Sequence, residues 1–141
     1  MKAQRKISEQ DLDRYRKNYL GEQDGIALYR ALAAAEKDAR RAEIFEKLAK
    51  AEERHARRWG KLLQVAGEAV PDYRPTLRVR LLGGLARMLG TQKVLPIVSG
   101  LEARDQTAYL SQPEAAGLPG EERAHSRTIR AMQEGVTGQE A

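Results

Sequence analysis

The chain has no cysteine, and that absence removes the most chemistry. Disulfides, thiolate zinc sites, iron–sulfur clusters, a rubredoxin-type iron and thiol nucleophiles are all excluded. Histidine is almost as scarce: His55 and His125 are the only two, so any site built on imidazole uses one or both. Aromatic residues make up only 5% of the chain. No window holds about 18 uninterrupted apolar residues, so nothing in the sequence reads as a bilayer-spanning helix. The polar stretch Met1 to Gln10 lacks the apolar run of a signal peptide. A soluble, cytoplasmic location is expected.

What remains is 141 residues, the length of one domain, rich in alanine, leucine, glutamate, lysine and arginine. Unbranched side chains lose little rotamer freedom in a helix, so this mix favours long helices over strands. The excess of 25 basic over 20 acidic residues gives +5, too mild to argue by itself for nucleic acid.

Caps and breakers divide the chain. Ser8 with Asp11 resembles a capping box and opens a helix over about 8–37. Asp38 caps a second over about 39–66, with Gly67 just past its end. Pro71 and Pro75 bound a connector. A short amphipathic helix follows over about 76–89, then one over about 92–110 capped by Thr91. The last spans about 113–134, with Ser111 and Pro113 at its start and Pro119-Gly120 delaying or kinking it. The expectation is a single all-α domain over 1–141, four main helices and one short one.

A 3-4-3-4 spacing picks out one seam on each main helix. The first reads Leu12, Tyr15, Tyr19, Glu22, Ile26, Tyr29, Ala33, and the second Phe45, Leu48, Glu52, His55, Trp59, Leu62, Ala66. The third reads Leu95, Val98, Glu102, Asp105, Tyr109, and the last Ala115, Leu118, Glu122, His125, Ile129, Met132, Val136. Each is apolar except at its middle, where a glutamate sits. In two of them a histidine follows three residues later.

An unpaired buried charge costs several kcal/mol or is neutralised. Two divalent cations would cancel four carboxylates, and two neutral imidazoles complete the shell without adding charge. One Glu from each of two helices and Glu-x-x-His from each of the other two is the di-metal pattern of ferritin-like bundles. Glu22 and Glu52 lie about 16 and 14 residues from the first turn, within about one helical turn of each other in height. Glu102 and Glu122 match if the last helix starts near Pro113. A faint repeat supports two equivalent hairpins: Tyr29 and Tyr109 each follow a seam glutamate by seven residues, and the two Glu-x-x-His motifs stand 70 apart. A salt-bridge network would need arginines on the seams, yet Arg14, Arg54, Arg57, Arg58 and Arg123 lie off them.

Glu22, Glu52-Glu53-Arg54-His55, Glu102 and Glu122-Arg123-Ala124-His125 resemble the di-iron ligands of rubrerythrin and ferritin-like proteins. The stretch from Tyr19 to Trp59, the connector Pro71-Asp72-Tyr73-Arg74-Pro75 and Pro113 to His125 are similar to the N-terminal domain of the membrane-bound ferritin A family. In that family a rubrerythrin-like domain is fused to a vacuolar-iron-transporter-type membrane domain. The resemblance runs from about Ile7 to Met132. It implies a ferritin-like four-helix bundle with a short extra helix between helices two and three. It also implies a cytoplasmic iron-binding domain at the inner membrane, covalently linked to a transporter and serving iron export; this chain, without membrane helices, reads as either an excised domain, the favoured reading, or a stand-alone relative. On that resemblance Glu52 and Glu122 bridge two metals or lie close to both, His55 and His125 each bind one, and Glu22 and Glu102 are terminal. Rubrerythrins often carry a further carboxylate where Asp105 stands. Being one methylene shorter, Asp105 is read either as a direct ligand or as a water-linked neighbour. The tyrosines are read as core packing with a hydrogen-bonded hydroxyl rather than as electron carriers.

Ligation by oxygen and nitrogen alone suits two iron ions (Fe2+/Fe3+) or Mn2+, with Zn2+ or Co2+ as possible substitutes. The expected partners are iron, dioxygen or peroxide, with no nucleic acid. Fe(II) oxidation is the expected activity; sensing or delivery stays open. The competing class is a metal-free basic bundle that binds nucleic acid or protein. In the short helix Leu77, Leu81, Leu85 and Met88 make an apolar face amid Arg74, Arg78, Arg80, Arg87 and Lys93. It reads either as packing on the bundle or a dimer partner, or as a surface resting on anionic lipid. A homodimer is expected, because such a helix usually buries its face against something.

Overall fold

A computed structural model of the chain describes residues 7–135; Val136, assigned above to the last seam, lies outside them. The described residues are helical throughout, without strands: α1 (Glu9–Ala35), α2 (Ala39–Val65), α3 (Leu77–Leu89), α4 (Leu95–Tyr109) and α5 (Leu118–Gln133). This all-α architecture is that of a ferritin-like helical bundle. The first hairpin is written locally. Ser8 accepts from the Asp11 amide at 3.0 Å while Asp11 Oδ2 accepts from the Ser8 amide at 3.2 Å, closing a capping box worth about 1 kcal/mol. Asp38 takes the Arg40 and Arg41 amides at the start of α2.

The second hairpin departs from the expected boundaries. Thr91 does not cap α4. It lies in a 3-10 turn, Thr91–Lys93, and its buried hydroxyl donates to Glu36 beside Arg41. Nor does the last helix begin at Pro113. Pro113–Ala115 forms another 3-10 turn, and Gly117 takes a left-handed φ of +87° that a side chain would resist. α5 then starts at Leu118, with Pro119 in its first turn, where a missing N–H costs nothing. Glu122 is thus only four residues into α5. It still meets Glu102 in one cluster, with residues 110–117 and their 3-10 turn, Pro113–Ala115, between the two helices.

Arg14 fixes that connector from α1. Its guanidinium grips both oxygens of Glu114 at 3.0 Å and reaches Gln112 at 3.1 Å. The fork holds the Glu114 carboxyl down to about 2. Asp24 does similar work for the other connector. Buried on α1, it accepts from Tyr73 Oη at 2.5 Å and from the Thr76 hydroxyl at 2.8 Å, anchoring the start of α3.

α1 packs along α2, α4 along α5, and α3 lies against α1. Two apolar clusters fill the interior. One joins Leu28, Leu32, Phe45, Leu48, Val98, Ile129 and Met132; the other joins Leu12, Tyr15, Trp59, Leu63, Tyr109 and Leu118. Trp59 lies between Tyr15 and Tyr109, with ring centroids 5.8 and 5.7 Å away. On α1, α2, α4 and α5 alike, the glutamates of the seams fall between the two clusters. A charged layer is therefore sandwiched by hydrocarbon, with Asp105 alone of the described seam residues left exposed.

Candidate metal centre

Six residues meet in that middle layer. Glu22, Glu52, His55, Glu102, Glu122 and His125 are all 9% exposed or less. They form two groups whose candidate ligand atoms lie within 4.8 Å of one another: Glu22, Glu52, His55 and Glu122, and Glu52, Glu102, Glu122 and His125. Glu52 and Glu122 belong to both, and each splits its oxygens between them. Glu122 Oε1 is 3.2 Å from His55 Nδ1, and Glu122 Oε2 is 4.0 Å from His125 Nδ1. Glu52 Oε2 lies 3.8 Å from His55 Nδ1, and Glu52 Oε1 lies 3.3 Å from His125 Nδ1. Glu22 and Glu102 complete one group each, 3.4 and 3.9 Å from their histidines. The rings are 6.0 Å apart, centre to centre.

The two hairpins exchange hydrogen bonds across the layer. Tyr29 of α1 donates to Glu102 of α4, and Tyr109 of α4 donates to Glu22 of α1 at 2.5 Å. Each tyrosine therefore fixes one oxygen of a carboxylate supplied by the other hairpin. The remaining oxygens are left over: Glu22 Oε2, Glu52 Oε1, Glu102 Oε2 and both oxygens of Glu122 have no hydrogen-bond partner, nor has either Nδ1. Buried polar atoms are normally satisfied, so such a concentration is a demand for a ligand. No arginine or lysine meets it. Among the described residues the only cationic side chains paired with these glutamates are the histidines.

Burial drives the electrostatics. It pushes the Glu22 carboxyl up to about 8, helped by Glu52 beside it, and Glu102 up to about 9, helped by Glu122. Glu122 rises to about 7, and Glu52 is raised as well, in both cases first by burial. Burial opposes charge on His55, but the closeness of the Glu122, Glu22 and Glu52 carboxylates outweighs it and raises the imidazole strongly. His125, with burial dominant, is lowered. Four crowded carboxylates without a cation hold protons that an ion would displace.

Three contributors carry no sequence signal of their own. Gly25 on α1 faces Glu52, and a Cβ there would stand 3.3 Å from Glu52 Oε2, so glycine leaves room for the shared carboxylate. Glu121 brings Oε1 to 3.3 Å from His55 Nε2, on the far side of the ring from the cluster. The approach is an ion-pair distance outside hydrogen-bond geometry, so His55 Nε2 too is left without a hydrogen-bond partner. Asp24 acts at a distance, through the connector.

Asp105 is not gathered into either group. Its shorter side chain ends at the wall of a cavity of about 650 Å³ between α1, α3 and α4, which reaches inward to Glu52 and Glu102 past Gly21 and Gly25. Solvent reaches Asp105, yet the surrounding protein and then the charges of Glu102 and Glu22 push its carboxyl up to about 7.

The donor set fits a pair of divalent ions: two imidazoles and four carboxylates, two of them shared, around otherwise unpartnered atoms. No curated protein and no solved structure matches the chain. Residues 16–80, from α1 into α3, match the Rubrerythrin family model, and with the buried clusters this supports a rubrerythrin- or ferritin-like di-iron domain.

Proposed function

We propose that this domain captures Fe(II) as a pair of ions and oxidises it, as the cytoplasmic iron-handling part of a membrane-linked iron exporter. The observation that carries the reading is the sharing of Glu52 and Glu122 between two clusters that lack any other cation. The exporter context is supported by the resemblance to the membrane-bound ferritin A family.

Glu52 and Glu122 would bridge the pair, His55 and His125 would each bind one ion through Nδ1, and Glu22 and Glu102 would be terminal. When bound, two ferrous ions supply one electron each, two in all, to dioxygen or hydrogen peroxide. The protein's part is positioning. The tyrosine hydroxyls hold the terminal carboxylates in one rotamer, Gly25 gives the Glu52 carboxylate its space, and Glu121 stands 3.3 Å from His55 Nε2 as a nearby negative charge. Apolar clusters on both sides keep bulk water from the layer, which strengthens the attraction between ligand and cation. The cavity beside Asp105 opens a way for a small oxidant or an ion.

Aerobic addition of Fe(II) tests the reading. Near-ultraviolet absorbance of ferric product should appear faster than in protein-free buffer, and the acceleration should disappear in Glu52→Ala. Tight Fe(II) binding without that acceleration would leave sensing or delivery and remove the oxidase activity. Absence of Fe(II) binding would remove the reading altogether.

A further inference from the structure

Among the described residues nothing covers the face of α3 turned away from the bundle. Val79, Leu82, Gly83 and Ala86 are buried inward, whereas Leu77, Leu81, Leu85, Met88 and Leu89 are 40–80% exposed. At about 100° per residue the five outward side chains fall in one sector, with Arg78 inside it between Leu85 and Leu89 and with Arg80 and Arg87 along the edge beside Leu77. From Arg74 to Lys93 the chain carries five basic residues and no acidic one, although 20 acidic residues are spread over the rest of it. Scattered exposed leucines are ordinary, but a contiguous apolar strip edged with one sign of charge marks a contact surface.

We propose that the outer face of α3 docks on the surface of an anionic lipid bilayer. The charge selects the occupant. A second copy meeting the same face by twofold symmetry would bring its Arg80 and Arg87 against the same basic strip, and among the described residues Arg78 alone of these three has an acidic neighbour, Asp24 of α1 at 3.8 Å. Five aliphatic side chains also fall well short of the roughly 20–30 residues a side that a standard protein interface recruits. A bilayer answers both halves of the pattern: the leucines and Met88 enter the boundary of the acyl chains while the arginines extend to phosphates. At 13 residues α3 is too short to cross a membrane, so it lies on the surface. It is also already built. Thr76 caps it at the Val79 amide, Asp24 ties down Tyr73 and Thr76, and the inner face is packed, so docking does not have to order the helix.

Co-sedimentation of the full chain with vesicles tests this. Wild type should pellet with vesicles containing phosphatidylglycerol and stay in solution with pure phosphatidylcholine. Leu77→Gln/Leu81→Gln/Met88→Gln and Arg80→Gln/Arg87→Gln should each weaken binding at least tenfold. Arg57→Gln/Arg58→Gln, on the exposed side of α2, should change it less than twofold. Circular dichroism verifies that each variant folds, and Leu81→Trp should show a blue-shifted emission on anionic vesicles only. Undiminished binding of the apolar triple variant would reduce the interaction to charge alone and overturn the proposal. So would light scattering that finds a dimer in wild type and a monomer in the triple variant, since a second copy would then cover the face. None of these readouts depends on metal.

Discussion

In the middle of the bundle six ionisable side chains are 9% exposed or less; on α3 five aliphatic side chains are 40–80% exposed. Both regions depart from the usual placement, but with unequal weight. An exposed leucine costs the fold almost nothing, so only the clustering and the bordering arginines make the α3 face informative. A buried carboxylate without a compensating cation costs several kcal/mol, so four in one layer set a demand that packing alone cannot meet. The interior therefore specifies its ligand by charge and donor type, while the outer face specifies a class of surface.

Substitutions and ions should separate the two regions, beginning with the largest effect. Saturating the layer with Mn(II), a redox-quiet probe, at one hundred times its dissociation constant should stabilise the fold by about 2.7 kcal/mol per site, roughly 5 for the pair. Thermal melts with and without chelator read this, and Glu52→Ala should abolish the difference. Within α3, Leu82→Ala removes an inward side chain 4% exposed and should cost about 2–5 kcal/mol by urea denaturation. In metal-free protein Glu122→Met replaces an unpartnered carboxylate with hydrocarbon and should stabilise by about 1–4 kcal/mol while destroying metal binding. A destabilised Glu122→Met would mean that the carboxylate has a partner after all.

The pH dependence of the metal-free protein follows from the same carboxylates. Glu22, Glu102 and Glu122 are raised to about 8, 9 and 7, above the 4.5 of an unhindered glutamate, so the folded state binds their protons more tightly than the unfolded. Their contribution to stability is fully present below about pH 4.5 and falls as pH rises towards 9, by about 1.4 kcal/mol per unit for each extra proton held. His55, also raised, contributes in the same direction, and the lowered His125 opposes it. Metal affinity should climb over the same window, because the ion displaces those protons. The smallest effect belongs to the outer face: Leu81→Ala should move stability by no more than about 0.5 kcal/mol, in contrast to its neighbour Leu82.

The seam was readable because two independent patterns coincide on it. Helical periodicity puts Glu22, Glu52, Glu102 and Glu122 among apolar neighbours, and the only two histidines follow two of them by one turn. The first hairpin was readable because Ser8, Asp11 and Asp38 bond to amides three residues away or fewer. What stayed hidden depends on contacts distant in sequence. Thr91 looks like a cap, but its hydroxyl goes to Glu36, 55 residues earlier. The start of α5 turns on Gly117 and on an Arg14–Glu114 pair 100 residues apart. Gly25 matters only because Glu52 lies opposite it. Periodicity puts Asp105 on the right face without saying that its side chain stops short of the cluster.

The central claim is a two-ion centre shared through Glu52 and Glu122, and counting ions tests it most directly. Anaerobic titration of the chain with Fe(II), followed by gel filtration and metal analysis, should find two ions per chain in wild type and none retained in Glu52→Ala. A wild-type protein that retains no iron, or a Glu52→Ala protein that keeps both ions, would contradict it.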